Sequence, residues 1–222
     1  MQGHGWMPEC GVAGLSCRFA TFTMDEFEIM PRIAEIEFTP NPNARKFILR
    51  DPLTYGIARS YETAEQARGD ELAERLFEIP HVTNVFYVDY WLTVTQDGRA
   101  HWPELLRQLA VPIREARSAQ ERSETLINEG AGQLDGVPTL SREMTEEEQQ
   151  KLAVIRDLLD EQVRPYLQGD GGDLHVVGLE GNLLKVHYQG ACGSCPSSIS
   201  GTLAGIESMV RRIDPDIEVV AI

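Results

Sequence analysis

Apolar positions along this chain recur at two spacings, every second residue in some stretches and every third or fourth in others. The changes of spacing mark its elements. Ile33–Phe38 and Lys46–Leu49 read as strands on either side of the turn TPNPNAR, residues 39–45, where prolines and asparagines prevent regular structure. From Thr63 to Phe77 the apolar residues Ala64, Ala67, Leu72, Ala73, Leu76 and Phe77 fall at helical intervals among charges. The stretch VTNVFYVDYWLTVTQDG then alternates and is rich in β-branched and aromatic side chains, which predicts a pair of strands joined near Asp89 and Tyr90. Its aromatic run, Phe86, Tyr87, Tyr90 and Trp91, reads as strand core. Pro103 opens a helix, ELLRQLAVPIREA, with a kink or break expected at Pro112.

A second block begins at Thr145 and Glu148, spaced as a capping box in which hydroxyl and carboxylate satisfy each other's end of a helix start. Leu152, Ile155, Leu159, Val163 and Tyr166 recur on one helical face, and Gly169–Gly172 stops the helix. Strands are expected at Leu174–Leu179 and Leu183–Tyr188 around the turn Glu180-Gly181-Asn182. The loop QGACGSCP follows, then a helix from about Ser197 to Arg212 and a short strand, Ile217–Ile222. Between the blocks, Arg117–Met144 holds Gly130, Gly132, Gly136 and Pro138, the punctuation of a flexible linker. The expected architecture is α+β: two small domains at 28–116 and 145–222, joined by the linker 117–144, the second in the order α-β-β-α-β. Residues 1–27 read as a disordered leader, and Met24 is a candidate natural start.

Charge narrows the function. A net charge of −15 leaves no clustered Lys and Arg with which to neutralise phosphates, so a non-specific nucleic-acid binder is excluded and basic partners are favoured. No run approaches the roughly 20 apolar residues of a membrane span. The first 23 residues lack the pattern of a secretory signal and the Arg richness of a transit peptide. Four cysteines, Cys10, Cys17, Cys192 and Cys195, are too few and too scattered for a disulfide scaffold. A reducing compartment fits best: cytoplasmic, with the mitochondrial matrix as the alternative.

The sharp chemical feature is Gly190-Ala-Cys-Gly-Ser-Cys-Pro-Ser-Ser198, where a strand ends and a helix begins. Two residues between Cys192 and Cys195 let both sulfurs face one metal centre, Gly193 permits a tight turn, and Pro196 suits the first helical position. A helix N-terminus favours the thiolate, the form that soft metals bind. Zinc or a four-iron cluster wants about four ligands. A two-fold dimer would supply them from two identical pairs. A thioredoxin-like dithiol oxidoreductase also places Cys-x-x-Cys at a helix start, with Cys192 as nucleophile and Cys195 as resolver. It would need a further hairpin and helix, whereas ten residues follow Arg212. A zinc-stabilised interaction module is the third reading.

Other motifs have plainer explanations beside functional ones. Asp170-Gly-Gly-Asp173 reads as a helix stop or as a surface next to the cysteines. The TPNPN run reads as a structural turn or as a docking loop. His175 and His187 read as strand residues rather than ligands, and Cys10 and Cys17, even with His4, show no metal spacing.

At RPYLQGDGGDL (Arg164–Leu174), GACGSCPSS (Gly190–Ser198) and TLAGIESMV (Thr202–Val210) the chain resembles the Nfu family, the NifU C-terminal-like iron–sulfur scaffold and carrier proteins. TPNPNARKF (Thr39–Phe47) and VTNVFYVDYWLTVT (Val82–Thr95) resemble the amino-terminal domain of the two-domain members. The resemblance implies that Cys192 and Cys195 are the cluster and iron ligands. It implies a homodimer or higher form sharing a cluster, commonly 4Fe-4S, between subunits. It also implies transfer to apo iron–sulfur clients and supply by upstream assembly proteins; it does not imply catalysis, and the chain is expected not to be an enzyme. Ala204 stands where the family usually carries Lys.

Overall fold

The computed structural model describes residues 33–119, 143–193 and 196–222. The leader with His4, Cys10, Cys17 and Met24, most of the linker with its glycines and Pro138, and Ser194 and Cys195 lie outside the described residues.

The first domain runs β1 (Ile33–Phe38), β2 (Ala44–Leu49), β3 (Arg59–Tyr61), α1 (Glu71–Phe77), β4 (Val82–Val88), β5 (Trp91–Gln96) and α2 (Trp102–Arg114). Its strands form one sheet in the order β1-β2-β5-β4-β3, every neighbour antiparallel. Alternation sends Phe47, Leu49, Val85, Tyr87, Leu92 and Val94 to one face, where Leu72, Leu76, Leu105, Leu109 and Ile113 from the two helices close the core. Register aligns Glu37, Lys46, Thr93, Phe86 and Ser60 in a row across all five strands on the opposite face, with Ala44, Thr95 and Asn84 in the next row. A sheet of this kind usually leaves one face to water. Here Thr93 and Phe86 are fully buried, and Lys46, Asn84 and Thr95 nearly so.

Three expectations need correction. The helix anticipated from Thr63 begins only at Glu71, because Gly69 turns the chain at φ +91° and Asp70 caps the new start by accepting from the Ala73 amide at 3.0 Å. Helix α2 continues through Pro112 to Arg114. The aromatic run divides: Tyr87 enters the core, Phe86 lies on the other face with its ring 5.2 Å from that of Trp91, and Tyr90 is exposed at the turn.

The second domain runs α3 (Glu146–Gln162), α4 (Arg164–Gly169), β6 (Gly172–Glu180), β7 (Leu183–Gly190), α5 (Pro196–Val210) and β8 (Glu218–Ala221). The capping box forms: Thr145 Oγ1 accepts from the Glu148 amide at 3.2 Å, and Glu148 Oε2 accepts from the Thr145 amide at 2.8 Å. The other Glu148 oxygen accepts from the Gly181 amide at 2.7 Å, tying the helix start to the β6–β7 turn. The single helix expected up to Tyr166 is two, split at Val163, because Pro165 has no amide hydrogen for the i−4 bond. The split shifts the helical phase, so Leu167 is buried and Tyr166 is 76% exposed. Strand β7 pairs antiparallel with β6 and parallel with β8, and α5 is the crossover that makes the parallel pair possible.

Candidate functional site

Where β7 ends, Gly190, Ala191, Cys192 and Gly193 lead toward α5, and two glycine-rich turns shape this corner together. The Ala191 amide donates to the Gly171 carbonyl at 3.1 Å, joining the turn before β6 to the turn after β7. The Gly193 amide donates to the Gly190 carbonyl at 3.3 Å. A methyl group on Gly193 would lie 2.8 Å from the Tyr188 carbonyl oxygen, so glycine is needed there for close approach.

Gly172 makes room for the sulfur: a Cβ at this position would fall 2.5 Å from Cys192 Sγ and 2.8 Å from the Gln189 carbonyl. The Asp170–Asp173 motif is therefore both a helix stop and the floor under Cys192. A glycine pair after a helix hinted at this, but its opposition to a cysteine twenty positions later follows only from the Gly172–Gly190 register.

Cys192 is 5% exposed and belongs to the second domain's core cluster with Tyr188 and Leu174, so the loop QGACGSCP does not hold it open to solvent. Burial pushes the Tyr188 phenol well above its ordinary pKa, and negative charge at Cys192 pushes it the same way, placing the two groups within electrostatic reach. Cys195 is not among the described residues. Ala204, on α5, is exposed.

Polar groups border the corner on the β6 side. Arg164 Nε donates to Asp173 Oδ1 at 2.9 Å, and the Leu174 amide donates to the same oxygen at 2.8 Å. Burial raises the Asp173 pKa while Arg164 opposes the shift. His175 and His187 are cross-strand partners, not companions of the cysteine. His187 Nδ1 is 2.7 Å from the Ile222 carbonyl, and its Nε2 is 3.5 Å from Glu62 of the first domain. Burial lowers the His175 pKa, as do the charges of Arg156, His187 and Arg164.

The first domain reaches the same corner. The TPNPN turn closes on itself, with Thr39 Oγ1 donating to the Asn41 carbonyl at 2.8 Å and the Asn43 amide donating to Asn41 Oδ1 at 3.0 Å. Asn41 Nδ2 is thereby presented to the Ala191 carbonyl, 3.1 Å away in a buried contact. Lys46 Nζ donates to the Gln168 carbonyl at 2.8 Å, at the end of α4.

Two family profiles match this chain, "Scaffold protein Nfu/NifU N terminal" over residues 33–120 and "NifU-like domain" over residues 155–221. The human "NFU1 iron-sulfur cluster scaffold homolog, mitochondrial" is 31% identical over 187 residues, covering 81% of this chain and 67% of the human protein. Its counterpart in Drosophila ananassae is 29% identical over 183 residues, covering 82% of this chain, which spans 61% of the fly protein. A NifU-like protein of Saccharomyces cerevisiae, solved in solution, overlaps 51% of this chain and 90% of its own at 19% identity, with a TM-score of 0.34.

Proposed function

Because the chain belongs to the Nfu family of iron–sulfur scaffold proteins, we propose that it holds an iron–sulfur cluster as cargo, on thiolates of Cys192 and Cys195, and passes it to apoproteins. The observation that carries this reading is the corner at the end of β7. Gly172 leaves space for the Cys192 sulfur, Gly193 turns the chain under the Tyr188 carbonyl, and α5 starts at Pro196. Such a corner holds a soft thiolate donor just before a helix start, whose amides favour negative charge.

Two thiolates are half of the shell that a four-iron cluster wants, so a second copy of the chain completes it. A cluster shared across a two-fold axis is held by four protein bonds and released when the halves separate, which suits a carrier. No substrate bond is made or broken by side-chain acids or bases in this scheme, and the protein is not an enzyme. Upstream assembly proteins supply the cluster and apo iron–sulfur proteins receive it. No helix among the described residues is long and apolar enough to cross a membrane. The relatives named as mitochondrial favour the matrix over the cytoplasm as the working compartment.

Anaerobic loading with iron and sulfide tests the reading. The expected product is a brown dimer carrying about four irons and as many sulfides per pair of chains. Cys192→Ser and Cys195→Ser are each expected to lose it. A colourless monomer without inorganic sulfide overturns the proposal, whether it reduces insulin or binds zinc instead.

A further inference from the structure

We infer that the outer face of the first domain's sheet is a docking surface for the glycine corner around Cys192 in the same chain, and that this face must leave before Cys192 can meet a partner subunit. The consequence for cluster sharing rests on the carrier reading above; the docking itself does not.

The contact is built from one cross-strand row. Lys46, Thr93 and Phe86 are neighbours on β2, β5 and β4, and each meets a different part of the corner. Lys46 Nζ reaches the carbonyls of Gln168 at 2.8 Å and Gly169 at 3.4 Å, a cation at a helix C-terminus. A methyl on Gly171 would stand 3.0 Å from Thr93 Oγ1 and 3.1 Å from Thr39 Cγ2, and one on Gly190 would stand 3.2 Å from Phe86 Cδ1. These glycines, at φ +81° and +64°, serve their own turns and also let the sheet come down onto the backbone on either side of Cys192. The Asn41 amide fixes the register by bonding to the carbonyl of Ala191, the residue next to the cysteine. The TPNPN turn and the Asp170–Asp173 motif, which the cluster chemistry leaves without a shared purpose, thus sit on opposite sides of one interface.

The composition of the face argues that the docking is reversible. Ser60 Oγ, Asn84 Oδ1, Thr93 Oγ1 and Thr95 Oγ1 are buried with no hydrogen-bond partner among the described residues. Hydroxyls and amides suit a face that water wets, and burying them without partners weakens the contact that buries them. Phe86 is the one apolar member of this row, and a permanent domain interface would be apolar along more of it. Two second domains sharing a cluster need the backbone at Ala191 and Gly190 free for mutual approach. In this chain Ala191 is 2% exposed and the first domain lies against it. Docking in cis and pairing in trans are alternatives at one surface, so weakening the first favours the second.

The test uses the full chain without iron and reads acetylation of Lys46, whose ammonium the Gln168 and Gly169 carbonyls cover in the docked state, by an N-hydroxysuccinimide ester, located by fragment masses. Thr93→Arg places a long cation against Gly171. Asn41→Asp keeps the oxygen that closes the turn but removes the donor to Ala191. Neither substitution lies in the second domain. Each variant is expected to acetylate Lys46 about tenfold faster than the native chain, a shift of about 1.4 kcal/mol in the docking equilibrium. If Thr93→Arg does not fold, Asn41→Asp decides alone. Equal labelling rates in folded variants and native chain overturn the inference while leaving the reconstitution result untouched. Failure of reconstitution likewise leaves the labelling result standing.

Discussion

Asn41 in the first domain donates its side-chain amide to the main-chain carbonyl of Ala191, 150 positions later in the sequence and one residue before Cys192. The same side chain accepts from the Asn43 amide, so one residue both closes a turn and carries that turn onto the cysteine corner. Removing both functions differs from removing one. Asn41→Ala is expected to lower the stability of the first domain by about 1–2 kcal/mol, through loss of the turn bond and an unpaired Ala191 carbonyl. Asn41→Asp retains the turn and is expected to lose less than half as much. Urea unfolding of both variants against the native chain checks the difference, and an Asn41→Asp variant as stable as the native chain would remove the docking role from Asn41.

Gly172 is the steric partner of the sulfur. A β-carbon there falls 2.5 Å from Cys192 Sγ and 2.8 Å from the Gln189 carbonyl, and backbone on one side cannot give way. Gly172→Ala is therefore expected to destabilise the second domain by about 1–3 kcal/mol and to lower iron loading by displacing Cys192. Gly181 provides the contrast: it has φ +61°, and a methyl added there would meet nothing within 4 Å, so Gly181→Asn is expected to cost under about 1 kcal/mol and leave loading intact. Calorimetry and an iron and sulfide assay on both variants check this pair.

Much of this arrangement could be read in advance because it is local. Alternation from Val82 to Gln96 marks its own strands, and Thr145 with Glu148 marks its own helix start. The three residues of β3 are too few to show a period, and the start of α1 moved to Glu71 because the Asp70 cap and the Gly69 turn outweigh the apolar spacing before them. The second buried face was hidden for a different reason. Thr93, Thr95, Asn84 and Lys46 are what a wet sheet face looks like, and only a contact from the far half of the chain buries them. The cysteine pair could be placed at a strand end before a helix, but the depth of Cys192 depends on Gly172 and Tyr188 closing around it.

Acid should loosen the second domain through His175. Burial lowers its pKa in the fold, and the cations Arg156 and Arg164 and its neighbour His187 act in the same direction, while the ordinary value is 6.5. As pH falls below 6.5 the unfolded chain takes up a proton that the folded one refuses, so the unfolded state gains. Stability contributed by neutral His175 is thus complete above that value and is lost on the way down toward the lower, folded pKa. Asp173 is raised from 3.8, mainly by burial, and works in the opposite sense: its protonated form is favoured in the fold, so its effect offsets the loss only at more acid pH. The unfolding midpoint is expected to drop between about pH 7 and pH 5.5, and His175→Gln to flatten that slope. A native chain with no slope over this range would count against a half-buried neutral His175.

Cys192→Ser separates the sulfur's chemistry from its packing. A cysteine on an open loop would tolerate the exchange with no change in the fold, but Cys192 is 5% exposed and sits in a cluster with Leu174, Val186 and Tyr188. Serine places a stronger hydrogen-bonding group, of smaller volume, in a space lined by apolar atoms and the Gly172 backbone. The variant is expected to lose the cluster and also about 1–2 kcal/mol of second-domain stability in the iron-free state. Cys192→Ala loses the cluster equally but places no hydroxyl among the apolar side chains of the cluster, so it should be the more stable of the two. Thermal unfolding of the iron-free proteins gives the order. If serine proved as stable as the native cysteine, Cys192 would have to spend most of its time outside the core, and the glycine corner would be open even without a partner subunit.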